Sequence, residues 1–111
     1  MAAAATFRLT LNHLLAHNPL PVGPHIASLH LRTSTQGPGH TGARLWRRRV
    51  LPCVWFHHTD KGVRVSLARS PNAPSSVELT TVDGRTKTVD VQGLKVKDIT
   101  RKVAQAQQEL A

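Results

Sequence analysis

No Asp or Glu precedes Asp60, although Arg8, Arg32, Arg44, Arg47, Arg48 and Arg49 all fall in that stretch. The first half of the chain therefore has no acid of its own to balance its arginines. Tyrosine is absent, and the aromatics are Phe7, Trp46, Trp55 and Phe56, too few for a platform that reads bases by stacking. The single cysteine, Cys53, excludes an intramolecular disulfide, a CxxC redox pair and a cysteine-based zinc knuckle. No apolar run approaches the ~18 residues that a membrane span needs. The six carboxylates stand singly, which argues against a paired acid–base site.

What is present is positive charge. The 111 residues carry fifteen Lys+Arg against six Asp+Glu, a formal net charge of +9 and a sequence pI near 11.4. Such a balance favours a polyanionic partner, nucleic acid first and an anionic membrane second. The length suits one compact domain, and 40% hydrophobic residues argue against wholesale disorder. Residues 1–17 are Ala-rich and acid-free, with one Arg and two His, and read as a mitochondrial targeting segment retained in the chain.

Leu9, Leu11, Leu14 and Leu15 predict a short amphipathic helix over Thr6 to His17, broken by Pro19, Pro21, Gly23 and Pro24. Alternation of Leu29 and Leu31 predicts a strand over His25 to Arg32, followed by a loop over Thr33 to His40. From Thr41 the period becomes helical: Ala43, Trp46, Val50 and Cys53 form an apolar stripe. Pro52 should kink that helix or end its first half, with the segment continuing to His57 or His58. Asp60-Lys61-Gly62 supplies a turn.

Val63, Val65 and Leu67 alternate with polar residues and predict a half-buried strand, followed by a Pro-containing loop over Ser70 to Ser76. Val77 to Val82 and Arg85 to Val91 flank Asp83-Gly84 and predict a β-hairpin. Val96, Ile99, Val103, Ala106 and Leu110 mark a C-terminal amphipathic helix. The expected fold is α/β: a four-stranded mixed sheet in the order β-α-β-β-β-α with two packed helices. The first strand, helix and second strand should form a right-handed parallel unit. Residues 1–24 form an N-terminal extension and residues 25–111 the domain.

This order and its joints resemble a known family. The carriers are a Gly-rich loop running into Gly42-Ala43-Arg44, Trp46 and Leu51-Pro52 in the helix, and the strand Val63 to Leu67. After them come Ser70-Pro71 with Pro74, Asp83-Gly84 in the hairpin, and Lys97-Asp98-Ile99 opening the last helix. Together they are similar to the thioredoxin-like domain shared by two mitochondrial ribosomal proteins, one per subunit, and an accessory subunit of respiratory complex I. Arg8-Leu9-Thr10-Leu11-Asn12-His13-Leu14, Gly42-Ala43-Arg44 and Val89-Asp90-Val91 favour the small-subunit branch. The chain departs from the family at Lys95, where a hydroxyl cap is expected, and at Thr59 to Gly62, which replaces an asparagine-proline pair. The resemblance implies a non-catalytic constituent of the mitochondrial small ribosomal subunit, in the matrix. Its partners are ribosomal RNA and neighbouring ribosomal proteins, with no cofactor and no small-molecule substrate. The large-subunit paralogue and the complex I subunit are the alternatives. The high pI and the solitary cysteine speak against the latter.

A thioredoxin-like fold invites redox chemistry, but thiol–disulfide exchange needs a second or an activated thiol. Cys53 lies on an apolar helical stripe, as a buried structural cysteine does. Metal binding is not favoured either: the side chains of His57 and His58 diverge on a helix, and no Cys or carboxylate lies at ligand spacing. No Ser-His-Asp set or phosphate-binding glycine loop can be assembled from the spacing. Trp46 reads as core, and Trp55 or Phe56 as exposed.

The sharpest feature is the cluster Arg44, Arg47, Arg48 and Arg49. A solvated helix face normally carries balancing acids at i±4, and none is near in sequence. Planar guanidinium forks suit phosphate, so these four are the candidate RNA-binding residues. Lys95, Lys97, Arg101 and Lys102 form a second basic group on the last helix, partly offset by Asp98.

Overall fold

The computed structural model describes residues 11–34, 39–71 and 74–111. The elements are α1 (Leu11–Ala16), β1 (Ile26–Ser34), α2 (Thr41–Arg49) and α3 (Leu51–His58). A 3-10 turn (Thr59–Lys61) leads into β2 (Arg64–Ser70), β3 (Ser76–Thr81), β4 (Thr86–Asp90) and α4 (Val96–Leu110). The part of the expected first helix that precedes Leu11, with Arg8 and Leu9, lies outside the described residues. So do 35–38 and 72–73 of the two expected loops.

The chain folds as an α/β protein around one four-stranded mixed sheet in the order β2-β1-β3-β4. β1 pairs parallel to β2, with Leu29 opposite Val65 and Leu31 opposite Leu67. β1 also pairs antiparallel to β3, with Leu29 opposite Leu79 and Leu31 opposite Val77. Partners across a register share a face. Leu29, Leu31, Val77, Leu79 and Val89 all point to the helix side and are buried there with Ile99 and Val103 of α4 and Trp46 of α2. The opposite face carries Ser28, His30, Arg32, Glu78, Thr88 and Asp90, none of them buried. This is the alternation of a sheet with one packed and one open face.

The helix after β1 is two helices rather than one kinked one. Pro52, near the start of α3, has no N–H, and in an unbroken helix its ring would clash with the carbonyl four residues back. The break falls at Val50 (φ −106°), which still receives Val54 N–H at 3.0 Å and donates to Trp46 O at 2.8 Å. β1 runs two residues beyond the expected Arg32, because Thr33 and Ser34 are buried with partners. Thr33 Oγ1 lies 3.1 Å from Ser75 Oγ, and Ser34 Oγ donates to Pro71 O at 2.7 Å.

β2 begins at Arg64 rather than Val63, and it is less buried than its alternation suggested: Leu67 is 37% exposed. The sheet places β2 at an edge, with a neighbouring strand on one side only. The hairpin forms as expected, with Val82 and Asp83 in the turn. Thr81 N–H donates to Arg85 O at 2.8 Å and Gly84 N–H to Thr81 O at 3.1 Å. Gly84 takes φ +94°, and no other residue of the turn has positive φ. That is the pattern of a three-residue connection ending in a glycine bulge, not of a two-residue Asp-Gly turn. Hydrogen bonds from Thr81 and Arg85, and the Arg85 charge, hold the Asp83 carboxyl below the usual carboxylate range.

The segment before β1 is stapled to the domain. Leu20 is fully buried in the common core. Gln107 of α4 accepts from Gly23 N–H at 3.1 Å and donates to Pro21 O at 3.1 Å. Buried His58 accepts from Val22 N–H at 3.0 Å through Nε2 and donates Nδ1–H to Val54 O at 2.9 Å. His57 Nε2–H reaches Leu14 O at 2.6 Å and His17 O at 2.8 Å, holding the end of α1.

Candidate nucleic-acid interface

The arginines of α2 do not share one direction. At about 100° per residue, Ala43 and Trp46 set the buried side of the helix. Arg44 and Arg48 then project away from the core, while Arg47 and Arg49 flank it on opposite sides. The sequence cluster thus feeds two separate surfaces.

On the Arg47 side the neighbour is β2. Arg69 lies opposite Thr33 in the parallel register, which turns its side chain to the helix face of the sheet. Arg47 is half-buried and its Nε is shielded from solvent without a hydrogen-bond partner among the described residues. Burial, then the positive charges of Arg69 and Arg48, pull the Arg47 pKa below the ordinary guanidinium value. No described carboxylate pairs with Arg47, Arg48 or Arg69; the described salt bridges are Arg85–Asp83, Lys87–Glu109 and Arg101–Asp98. The positive charges of Arg48 and Arg69 around Arg47, without an acid, raise the electrostatic energy of the folded chain unless an anion enters. Arg69 escaped the sequence reading because its neighbours Arg47 and Arg48 are some twenty positions away. Only the β1–β2 register brings them together.

On the Arg49 side, α2 packs against the start of α4. Gly42 makes this possible, since a Cβ there would fall 1.7 Å from Leu94 O. Gly93 N–H donates to Gly39 O at 2.7 Å, tying the two entry loops. Between the helices runs a groove of about 500 Å³ that brings Arg49 together with Lys95 and Lys97. Arg101 is turned away and pairs with Asp98 at 3.7 Å. Lys102 lines a different, smaller groove beside β4, with Lys87 and Glu109. Of the eight residues expected to meet RNA, the fold therefore places Arg48 beside Arg47, unites Arg49 with Lys95 and Lys97, separates Arg101 and Lys102 from both, and puts Arg44 in neither group.

The other candidate chemistries have plain structural roles. Cys53 is fully buried, and desolvation raises its thiol pKa. No group of three His, Cys, Asp or Glu suited to a metal occurs among the described residues. The spacing did not reveal the row Ser66, His30 and Glu78 across three adjacent strands. His30 Nδ1 lies 2.6 Å from Ser66 Oγ. The row stands on the open sheet face, outside both grooves described above, and acyl transfer needs a concave setting with donors aimed at the oxyanion.

No described helix is long and apolar enough to cross a membrane. No protein-family model matches the chain, and no curated protein matches it.

Proposed function

We propose that this protein is a non-catalytic, thioredoxin-like constituent of the mitochondrial small ribosomal subunit, of the branch of that subunit's protein twenty-five. It works in the matrix, bound to rRNA phosphates and neighbouring ribosomal proteins. The observation that carries the reading is the acid-free cluster of Arg47, Arg48 and Arg69 on one edge of the fold. Phosphate relieves such a cluster, because each guanidinium can give two parallel hydrogen bonds to one phosphate and release condensed counterions. The mixed sheet in the order β2-β1-β3-β4, with a parallel β1-helix-β2 half and an antiparallel hairpin followed by α4, supports the thioredoxin-like part of the proposal. Without turnover, the work done is mechanical. The protein neutralises a fold of rRNA and holds it in place during subunit assembly.

Sucrose-gradient sedimentation of the tagged protein, with salt and RNase washes, tests this. The expected result is migration with the small subunit, weakened several-fold by Arg47→Gln, Arg48→Gln and Arg69→Gln together. Migration with the large subunit, or with complex I on native gels, overturns it, and so does unchanged incorporation of the triple variant.

A further inference from the structure

We infer that the groove between α2 and α4 is a binding site for one unstacked nucleotide of single-stranded RNA. Its base would lie on the apolar floor and its flanking phosphates on the basic rim. The inference rests on the RNA reading above and adds to it a second site of different chemistry. The Arg47–Arg48–Arg69 cluster offers charge alone; the groove combines charge with apolar surface.

The floor is formed by Leu45 of α2 with Leu94 and Val96 at the entry to α4, and the rim carries Arg49, Lys95 and Lys97. Leu45, Leu94 and Val96 are each only partly buried, so apolar surface remains open to a ligand. The volume of about 500 Å³ falls in the range of small-molecule sites, too narrow for a duplex and ample for a base with its sugar. No carboxylate lines the groove, and none of its three cations has an ion-pair partner among the described residues. Asp98, the nearest acid in sequence, is committed to Arg101.

The charge arrangement is unfavourable for the empty protein. Lys95 is the N-cap residue of α4 and provides no side-chain cap. Lys97 sits in its first turn, where the helix dipole favours anions. A phosphate between Lys95, Lys97 and Arg49 reverses the sign of that interaction. The walls are also fixed in advance by the Gly42–Leu94 approach and the Gly93–Gly39 hydrogen bond, which lowers the ordering cost of binding. An acidic peptide could meet the rim, but a row of side-chain carboxylates leaves the apolar floor unused. A nucleotide satisfies both, since a base presents a flat apolar face beside its phosphate.

The test compares a labelled oligouridylate with an RNA duplex of equal phosphate number, bound to the full chain at several salt concentrations. The expected result is tighter binding of the single strand by roughly tenfold. In Lys95→Gln/Lys97→Gln, the single-strand salt slope falls by about 1.4, the contribution of two phosphate contacts. Thr41→Trp fills the groove from an exposed position and removes the single-strand preference with the slope nearly unchanged. Circular dichroism verifies that each variant is folded, and the lysine pair carries the test if Thr41→Trp is not. Equal affinity for the two RNAs overturns the groove site, as does an unchanged salt slope in folded Lys95→Gln/Lys97→Gln or a preference that survives in folded Thr41→Trp. Equal displacement of the oligouridylate by polyglutamate also overturns it. If binding is equal yet lost in the Arg47, Arg48 and Arg69 triple variant, the groove fails while the RNA reading stands. If neither RNA binds, both fail.

Discussion

At the residue scale, individual side chains do work that their types only hinted at. Cys53 is the plainest case: an apolar stripe pointed to burial, and the side chain has no exposure at all, with its thiol pushed up in pKa by desolvation. Because the thiolate is the nucleophile, iodoacetamide should leave Cys53 unlabelled in the native protein and label it in urea, as read by intact mass. Rapid native labelling would refute this and reopen thiol chemistry. The histidines are the opposite case. In the sequence His57 and His58 are only an adjacent pair and His25 is isolated, but His58 joins Val22 to α3, His57 reaches Leu14 and His17, and His25 Nε2–H donates to Gln107 O at 2.9 Å. No periodicity announces a hydrogen bond between residues eighty positions apart.

At the element scale, the strongest patterns translated directly. The α4 stripe buries Ile99, Val103, Ala106 and Leu110, and the hairpin forms where Asp83-Gly84 marked it, though Val82 joins them in the connection. Helix period and turn chemistry are local, so one strand of text suffices to read them. Leu67 shows the limit. Its alternation matched a half-buried strand, but exposure is set by whether the strand is central or at an edge. Gln107 shows another, since a polar residue on α4 proves to be the staple for the Pro21–Gly23 segment. Gln107→Ala leaves the Gly23 N–H without its partner, and it should lower unfolding free energy by about 1–3 kcal/mol in urea titration. Hydrogen exchange of Gly23 should rise with it. A variant as stable as the parent would show that Leu20 packing and the His58 and His25 hydrogen bonds suffice to hold the segment.

At the scale of the whole molecule, the excess of nine positive charges acquires a geography. One part of it is the Arg47, Arg48 and Arg69 cluster and another is the Arg49, Lys95 and Lys97 groove, on opposite flanks of α2. Self-repulsion of this kind is relieved by screening. The Tm should therefore rise between about 0.01 M and about 1 M sodium chloride, as the Debye length falls from ~30 Å to ~3 Å. The rise should be smaller in the Arg47, Arg48 and Arg69 triple variant, and calorimetric scans across salt would measure both. A Tm that falls with salt would mean that attractive ion pairs outweigh the cluster.

The sequence by itself determined most of the elements, the position of the hairpin, the buried stripes and the sign of the chain's own net charge. Those properties follow from composition and from neighbours within a few residues. Only the tertiary structure decided which charges meet. The parallel register of β1 and β2 carried Arg69 to Arg47, and the bare backbone of Gly42 let α2 press against Leu94 so that Arg49 faces Lys95 and Lys97. Charge is summed over the chain, but repulsion and recognition depend on distance, and distance between remote residues is set by packing.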